Sequence, residues 1–206
     1  MRSPHRLFQM QDSGNCYKIR LLMTLLELPF EIIDIDILKG ESRAPGFLKK
    51  NPVGRVPVLQ LPDGHYLAES NTILWYLAAG TPYFPSSKFD QALVFQWMGF
   101  EQYSHEPFIA TSRFWISILG QPQEYARQIA EKRAPGYAAL AVMEQHLSKN
   151  QYFVTDKYTI ADIALYAYTH VADEGGFKMT NYPAIRLWLD RVRSSKGHIP
   201  IEHRQR

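Results

Sequence analysis

Ser13 and Cys16 stand three residues apart in the stretch QMQDSGNC, residues 9–16, where a short apolar run gives way to a helical pattern. A hydroxyl at a helix N-terminus can donate to the sulfur of another molecule's thiolate, whereas a cysteine can form a disulfide of its own. Cys16 is the only cysteine of the chain, which excludes an internal disulfide framework and a cysteine-based metal cluster. It falls on a Cys16, Ile19, Met23 stripe that should be buried, and free cysteines in such places behave as inert small hydrophobes. On the residues alone both remain candidates for chemistry, and a plain helix cap requires Ser13 in the same place. Asn15 and the loop amides are the remaining donors of this segment.

Other polar residues sort by spacing. Glu69-Ser70-Asn71 lies where a turn meets a helix, so unpaired amides and the positive end of the helix dipole face whatever lies in front, and an anion is favoured there. On spacing alone Ser70 reads first as a helix cap. Thr159 followed three residues later by Asp162, flanked by Tyr158 and Ile163, reads as a structural capping box with a hydrophobic staple. The seven histidines show no HxxxH or HxH spacing, so no metal is expected. Neither a GxGxxG nor a P-loop is present.

Composition narrows the classes further. The 206 residues are 46% hydrophobic and 13% aromatic, enough for packed cores, and the net charge is only +3 with the basic residues dispersed. Without a basic stripe interleaved with aromatics, nucleic-acid binding is not expected. No apolar run approaches the roughly 18 residues of a membrane span, and MRSPHRLFQM lacks the apolar stretch of a secretory signal. A cytoplasmic protein with no membrane partner is the expectation, and the tail HIPIEHRQR looks solvated.

The elements that must position these residues fall into two parts. RLFQM reads as a strand, and Cys16, Ile19, Leu22, Met23 and Leu26 recur at helical spacing up to Pro29. FEIIDIDI alternates with period two. A brief helix around PGFLKK, a hairpin of VPVLQL and HYLA about a PDG turn, and a helix in ESNTILWYLAAG complete the unit. This order gives an α/β layer of thioredoxin-like outline over residues 1–80, with the first two strands parallel. A linker at 81–88 leads into 89–206, where helical spacing persists in Leu93, Trp97, Phe100 and Tyr103, in Leu140, Met143 and Leu147, and in Ile163, Tyr166 and His170. An all-α domain follows, in which Pro107 and Pro135 should kink or split their helices.

Taken together, NPVGRVPVLQL and LAESNTILWYL in the α/β part and YTIADIALYAY in the helical part resemble the cytosolic glutathione transferase family, most nearly its bacterial serine-type, theta-like members, over essentially the whole chain. The resemblance implies glutathione as cosubstrate and no metal. It implies a cis Val56-Pro57 bond with the Val56 backbone pairing with the cysteinyl part of the peptide. Ser70 would cradle the γ-glutamyl carboxylate, and Glu69 would meet its ammonium. Ser13 falls on the family's catalytic serine, with Asn15 and Cys16 as rivals for the thiol. Relatives often carry histidine or lysine where this chain has Gly54, which leaves Lys39, Arg43, Lys49, Lys50 and Arg55 as candidates for the glycyl carboxylate, Arg55 being the first choice and Lys39 also retained. Near Pro107, Tyr103 and Arg113 are candidates to meet the electrophile, although aromatics at helical spacing are ordinarily core. Thr155 stands where many relatives carry glycine.

The activity so implied is conjugation of the glutathione thiolate to small electrophiles by a homodimer, with each α/β domain against the partner's helices. Glutathione-dependent isomerisation, dehalogenation or disulfide reduction are alternatives on the same site. A glutathione-binding protein without catalysis is a third reading.

Overall fold

The computed structural model describes residues 4–204. Two compact units are present: residues 4–79 with 196–204, and residues 80–195. The first contains β1 (His5–Gln9), α1 (Gly14–Leu25), β2 (Phe30–Asp34), α2 (Pro45–Leu48), β3 (Val58–Gln60), β4 (Tyr66–Ala68) and α3 (Ser70–Ala78). The sheet has the order β2-β1-β3-β4, with β1 and β2 parallel and β3 antiparallel to both of its neighbours. This is the thioredoxin-like layer expected from the alternation of periods. Leu7, Val58 and Leu59 of the sheet and Ile19, Leu22, Met23, Ile73 and Leu74 of α1 and α3 are fully buried, so each element contributes one apolar face to a shared core.

Two details differ from the sequence reading. The strand expected through FEIIDIDI ends at Asp34, because the Asp36 carboxylate accepts the amides of Leu38 and Lys39 at 3.0 and 3.1 Å and turns the chain. Within the described residues the tail is anchored at two positions, while Pro200, Glu202, His203 and Arg204 stay exposed. Ile199 and Ile201 are buried, the Tyr17 hydroxyl donates to the Ile199 carbonyl at 2.7 Å, and Gln11 Nε2 and Arg20 Nη2 donate to the Ile201 carbonyl at 2.7 and 2.9 Å. Residues 196–204 thus belong with the α/β unit rather than with the helices.

The second unit is helical throughout: α4 (Lys88–Phe100), α5 (Glu106–Arg113), α6 (Ala126–Leu147), α7 (Ile160–Thr169) and α8 (Pro183–Arg193). Every residue of α7 is buried, as expected of a helix apolar on all sides that forms the centre of a bundle. A wide π turn over Glu101–His105 separates α4 from α5, so Pro107 sits in the first turn of α5, where its missing amide costs little. Pro135, by contrast, lies inside the 22-residue α6 and does not split it.

Thr155 adopts φ +57°. A β-branched residue there carries a steric cost of about 1–2 kcal/mol that glycine escapes, partly offset by glycine's greater freedom when unfolded. Thr155→Gly is expected to raise the unfolding free energy by about 1 kcal/mol in urea titration, and a loss of stability would show that the threonine side chain itself anchors this turn.

Candidate active site

The sheet register determines which loops meet. Phe8 of β1 and Ala68 of β4 both pair with Val58 at the start of β3. Because both strands run antiparallel to β3, the chain leaving β1 (residues 10–13), the chain entering β3 (residues 54–57) and the chain leaving β4 (residues 69–70) all lie at one end of the sheet. Three of the motifs singled out in the sequence are brought together by this pairing, and α1 and α3 start there.

Ser13 is the N-cap of α1, with extended backbone, and its Oγ accepts the Cys16 amide at 3.3 Å. That bond uses a lone pair and does not consume the hydroxyl proton. Cys16 is fully buried, and its sulfur accepts the Met10 amide at 3.4 Å. Burial pushes the Cys16 thiol up, more than the Ser13 hydroxyl, the Met10 amide and the Arg20 charge pull it down. The cysteine is therefore held as a neutral thiol inside the core.

Ser70 is the first residue of α3 and is buried; its hydroxyl donates to Asn15 Oδ1 at 3.1 Å and accepts from Lys18 Nζ at 3.4 Å. Asn15 is thus tied to Ser70, across the helix pair. Glu69 is exposed and holds φ +66°, ψ 112°, a conformation costing a non-glycine residue on the order of 1–3 kcal/mol that is found mostly where function requires it. The Val56–Pro57 bond is cis.

The cations near this sheet end are distinguished by their partners. Lys39 is exposed and paired with Asp36 at 3.0 Å. Lys50 donates to the Gly46 carbonyl at 2.9 Å. Arg55 is exposed, and its carbonyl accepts Asn51 Nδ2 at 2.9 Å. Arg43 donates to the Val53 carbonyl at 2.9 Å and crosses Gly54, where a Cβ would lie 2.8 Å from its Nη1 and 2.9 Å from the Ser42 carbonyl oxygen. Gly54 also has φ +65°, so both backbone and space demand glycine there.

In the helical unit, Tyr103 is 85% exposed on the π turn. Arg113 is buried, with Nε donating to Glu174 at 2.6 Å, so its charge has a carboxylate partner within its own unit. Sequence reading overlooked Lys18. The available signal was a lysine set inside the run CYKIRLLM, all of which is buried in α1. Among the described residues, no group of three or more His, Cys, Asp or Glu side chains could hold a metal ion, and no helix is long and apolar enough to cross a membrane.

Residues 12–79 match the model of the glutathione S-transferase N-terminal domain, and residues 101–196 match that of its C-terminal domain. The chain belongs to the glutathione S-transferase family. A crystal structure of a glutathione S-transferase from Pseudomonas fluorescens is 49% identical, with a TM-score of 0.95 over 97% of this chain and 99% of that one. The glutathione S-transferase-like protein LUC7 of a Fusarium species is 30% identical over 91% of this chain and 87% of its own length. Elongation factor 1-gamma of Artemia salina is 30% identical over 82% of this chain, which spans 40% of that protein's length.

Proposed function

We propose that the protein is a glutathione transferase that binds glutathione along the convergent sheet end and joins its thiolate to small electrophiles. The observation that carries this reading is the convergence of Ser13, Val56 and Glu69-Ser70 at that end, fixed by the register of β1, β3 and β4. The peptide's γ-glutamyl carboxylate lies at Ser70 on the amide end of α3, its ammonium at Glu69, and its cysteinyl backbone against Val56. A free thiol titrates near 8.5, and bringing it down by two units takes about 2.7 kcal/mol. A hydrogen bond from the Ser13 hydroxyl, together with the amide end of α1, supplies interactions of that order. Asn15 orients Ser70 rather than the sulfur.

For the glycyl carboxylate the geometry favours Arg43 over Arg55 and Lys39, because Arg43 lies directly over Gly54 two residues before Val56. Arg43→Ala is expected to weaken glutathione binding about tenfold, the loss of one charge-assisted bond, while leaving γ-glutamylcysteine, which lacks the glycine, unaffected. Equal losses for both peptides in calorimetry would return the assignment to Arg55 or Lys39. Tyr103 is the exposed contact offered to the electrophile, and Arg113, engaged by Glu174, acts as scaffold. The active form is a cytoplasmic homodimer; sedimentation at the monomer mass under assay conditions would overturn the dimer.

Retention on immobilised glutathione followed by conjugation of an aromatic halide tests the whole reading. Retention and turnover are expected, and failure to bind glutathione would overturn it. Binding without turnover toward a broad electrophile panel would favour a non-catalytic glutathione-binding role.

A further inference from the structure

Arg20 lies in the middle of α1, only 1% exposed, and its guanidinium gathers three segments of the α/β unit. Nη1 donates to Gln9 Oε1 at the end of β1. Nη2 donates to two backbone carbonyls, that of Gln11 in the chain leaving β1 and that of Ile201 in the tail, each at 2.9 Å. The charge is answered through Gln9, whose Nε2 donates in turn to the Asp34 carboxylate at 2.9 Å. Gln11 closes the arrangement from the loop side, because its own Nε2 donates to the carbonyls of Ile201 and His203 at 2.7 and 3.1 Å. A planar fork can bridge acceptors in this way, whereas a lysine ammonium is a point charge.

The loop so held is the one that carries Ser13. The Ser13 amide donates to the Met10 carbonyl at 3.1 Å, and its Oγ accepts the Cys16 amide at 3.3 Å. These bonds fix Ser13 to Met10 and Cys16, while Gln11, between Met10 and Ser13, is held by Arg20 and the tail. A hydroxyl bond to sulfur weakens steeply with misalignment, so the donor must be kept within about 0.5 Å of its productive place by its surroundings.

We propose that Arg20 is a positioning residue for Ser13: by pinning the tail to the β1–α1 loop it holds the Ser13 hydroxyl in place for the glutathione sulfur, and it makes residues 199–203 a working part of the thiol site. It acts through Gln11, two residues before Ser13, rather than on the sulfur. The inference rests on the reading of Ser13 as donor to the glutathione thiol and adds the distant segment that keeps that donor aligned.

Three full-length variants test it. Arg20→Met removes the clamp and keeps an apolar stem, Arg20→Lys keeps the charge without the fork, and Ile201→Ser unseats the buried tail side chain while leaving α1 and the loop unaltered in sequence. Hydrogen exchange of the amides of residues 10–16 is measured without ligand. The thiol of bound glutathione is then titrated by thiolate absorbance at saturation, and affinity for S-methylglutathione, whose sulfur carries no proton, is measured by calorimetry. In Arg20→Met and Ile201→Ser the loop amides are expected to exchange about tenfold faster. The bound thiol is expected to titrate about one unit higher in Arg20→Met and about half a unit higher in Ile201→Ser, with Arg20→Lys between Arg20→Met and wild type, while S-methylglutathione affinity changes less than about threefold. Unchanged loop exchange overturns the inference whatever the peptides do. Faster exchange with an unmoved thiol, or a thiol shift accompanied by a tenfold or greater loss of S-methylglutathione, also overturns it and leaves Arg20 an anchor of the fold with the glutathione reading standing. Should Arg20→Met fail to fold, Ile201→Ser decides alone, and failure of both to fold overturns the inference. Failure of the wild type to bind either peptide is the one result that overturns the glutathione reading and this inference together.

Discussion

Replacing Asp162 by alanine is expected to cost the folded chain on the order of 4 kcal/mol at neutral pH. The carboxylate is fully buried and accepts four bonds: the Thr159 amide and hydroxyl on Oδ2 at 2.9 and 3.1 Å, and the Phe153 amide and Trp188 Nε1 on Oδ1 at 3.1 and 3.0 Å. These donors come from the start of α7, the loop before it and α8, so one side chain joins three segments around the central helix. Alanine leaves buried donors unsatisfied at about 1–3 kcal/mol each and removes half of the capping box. Loss of cooperative unfolding, or a urea midpoint shifted by the equivalent of 3 kcal/mol or more, is the expected result. A shift under 1 kcal/mol would show that water or repacking satisfies the donors.

The same residue predicts a pH dependence with a definite sign. Burial raises the Asp162 carboxyl from 3.8 to about 6, against the pull of its Thr159, Phe153 and Trp188 donors. Between these two values the folded chain holds the proton more tightly than the unfolded chain, so this group's contribution to stability is full below pH 4 and is lost as pH rises through 6. The loss amounts to roughly 3 kcal/mol at about 1.4 kcal/mol per unit. Asp162→Asn does not titrate, so the stability difference between wild type and this variant should shrink by that order from pH 4 to pH 7.

Much of this architecture is legible in the sequence because it is local. The period-two and helical runs of the α/β layer, the PDG hairpin turn and the Thr159–Asp162 box are all set by residues within a few positions of one another, and each appears where expected, save that the FEIIDIDI strand stops at Asp34. What escapes is set by distance along the chain. The tail reads as solvated because Ile199 and Ile201 sit beside Pro200 and a run of charged residues, and their burial depends on Tyr17, Gln11 and Arg20, more than 180 residues away. Lys18 escapes for a related reason. Lysines are almost always exposed, and the one local mark of its burial, its place inside the run CYKIRLLM, does not name Ser70, 52 residues later, as what it meets. The π turn before Pro107 and the unbroken passage of α6 through Pro135 likewise depend on packing that a proline rule does not contain.

In the site itself the decisive variant is Ser13→Ala. The proposed mechanism requires the hydroxyl proton, which the capping bond to the Cys16 amide leaves available, to be given to the glutathione sulfur. Without it the bound thiol should titrate about two units higher, near the free value of about 8.5, and kcat/KM near pH 6.5 should fall about 100-fold while converging on wild type above pH 9. The lost cap also costs about 1 kcal/mol of stability, so the titration is followed by thiolate absorbance at saturating glutathione, where folding is held constant. Ser13→Thr, which restores the hydroxyl, should recover most of the shift, a rescue that a purely structural cap would not require at the sulfur. Cys16→Ala supplies the opposing measurement. Its thiol is buried and pushed up by that burial, so removing it should lower stability by opening a small cavity and leave the bound thiol's titration where it was. The reverse pattern, with Cys16→Ala moving the titration and Ser13→Ala leaving it fixed, would transfer the chemistry from an activated peptide thiol to a protein disulfide.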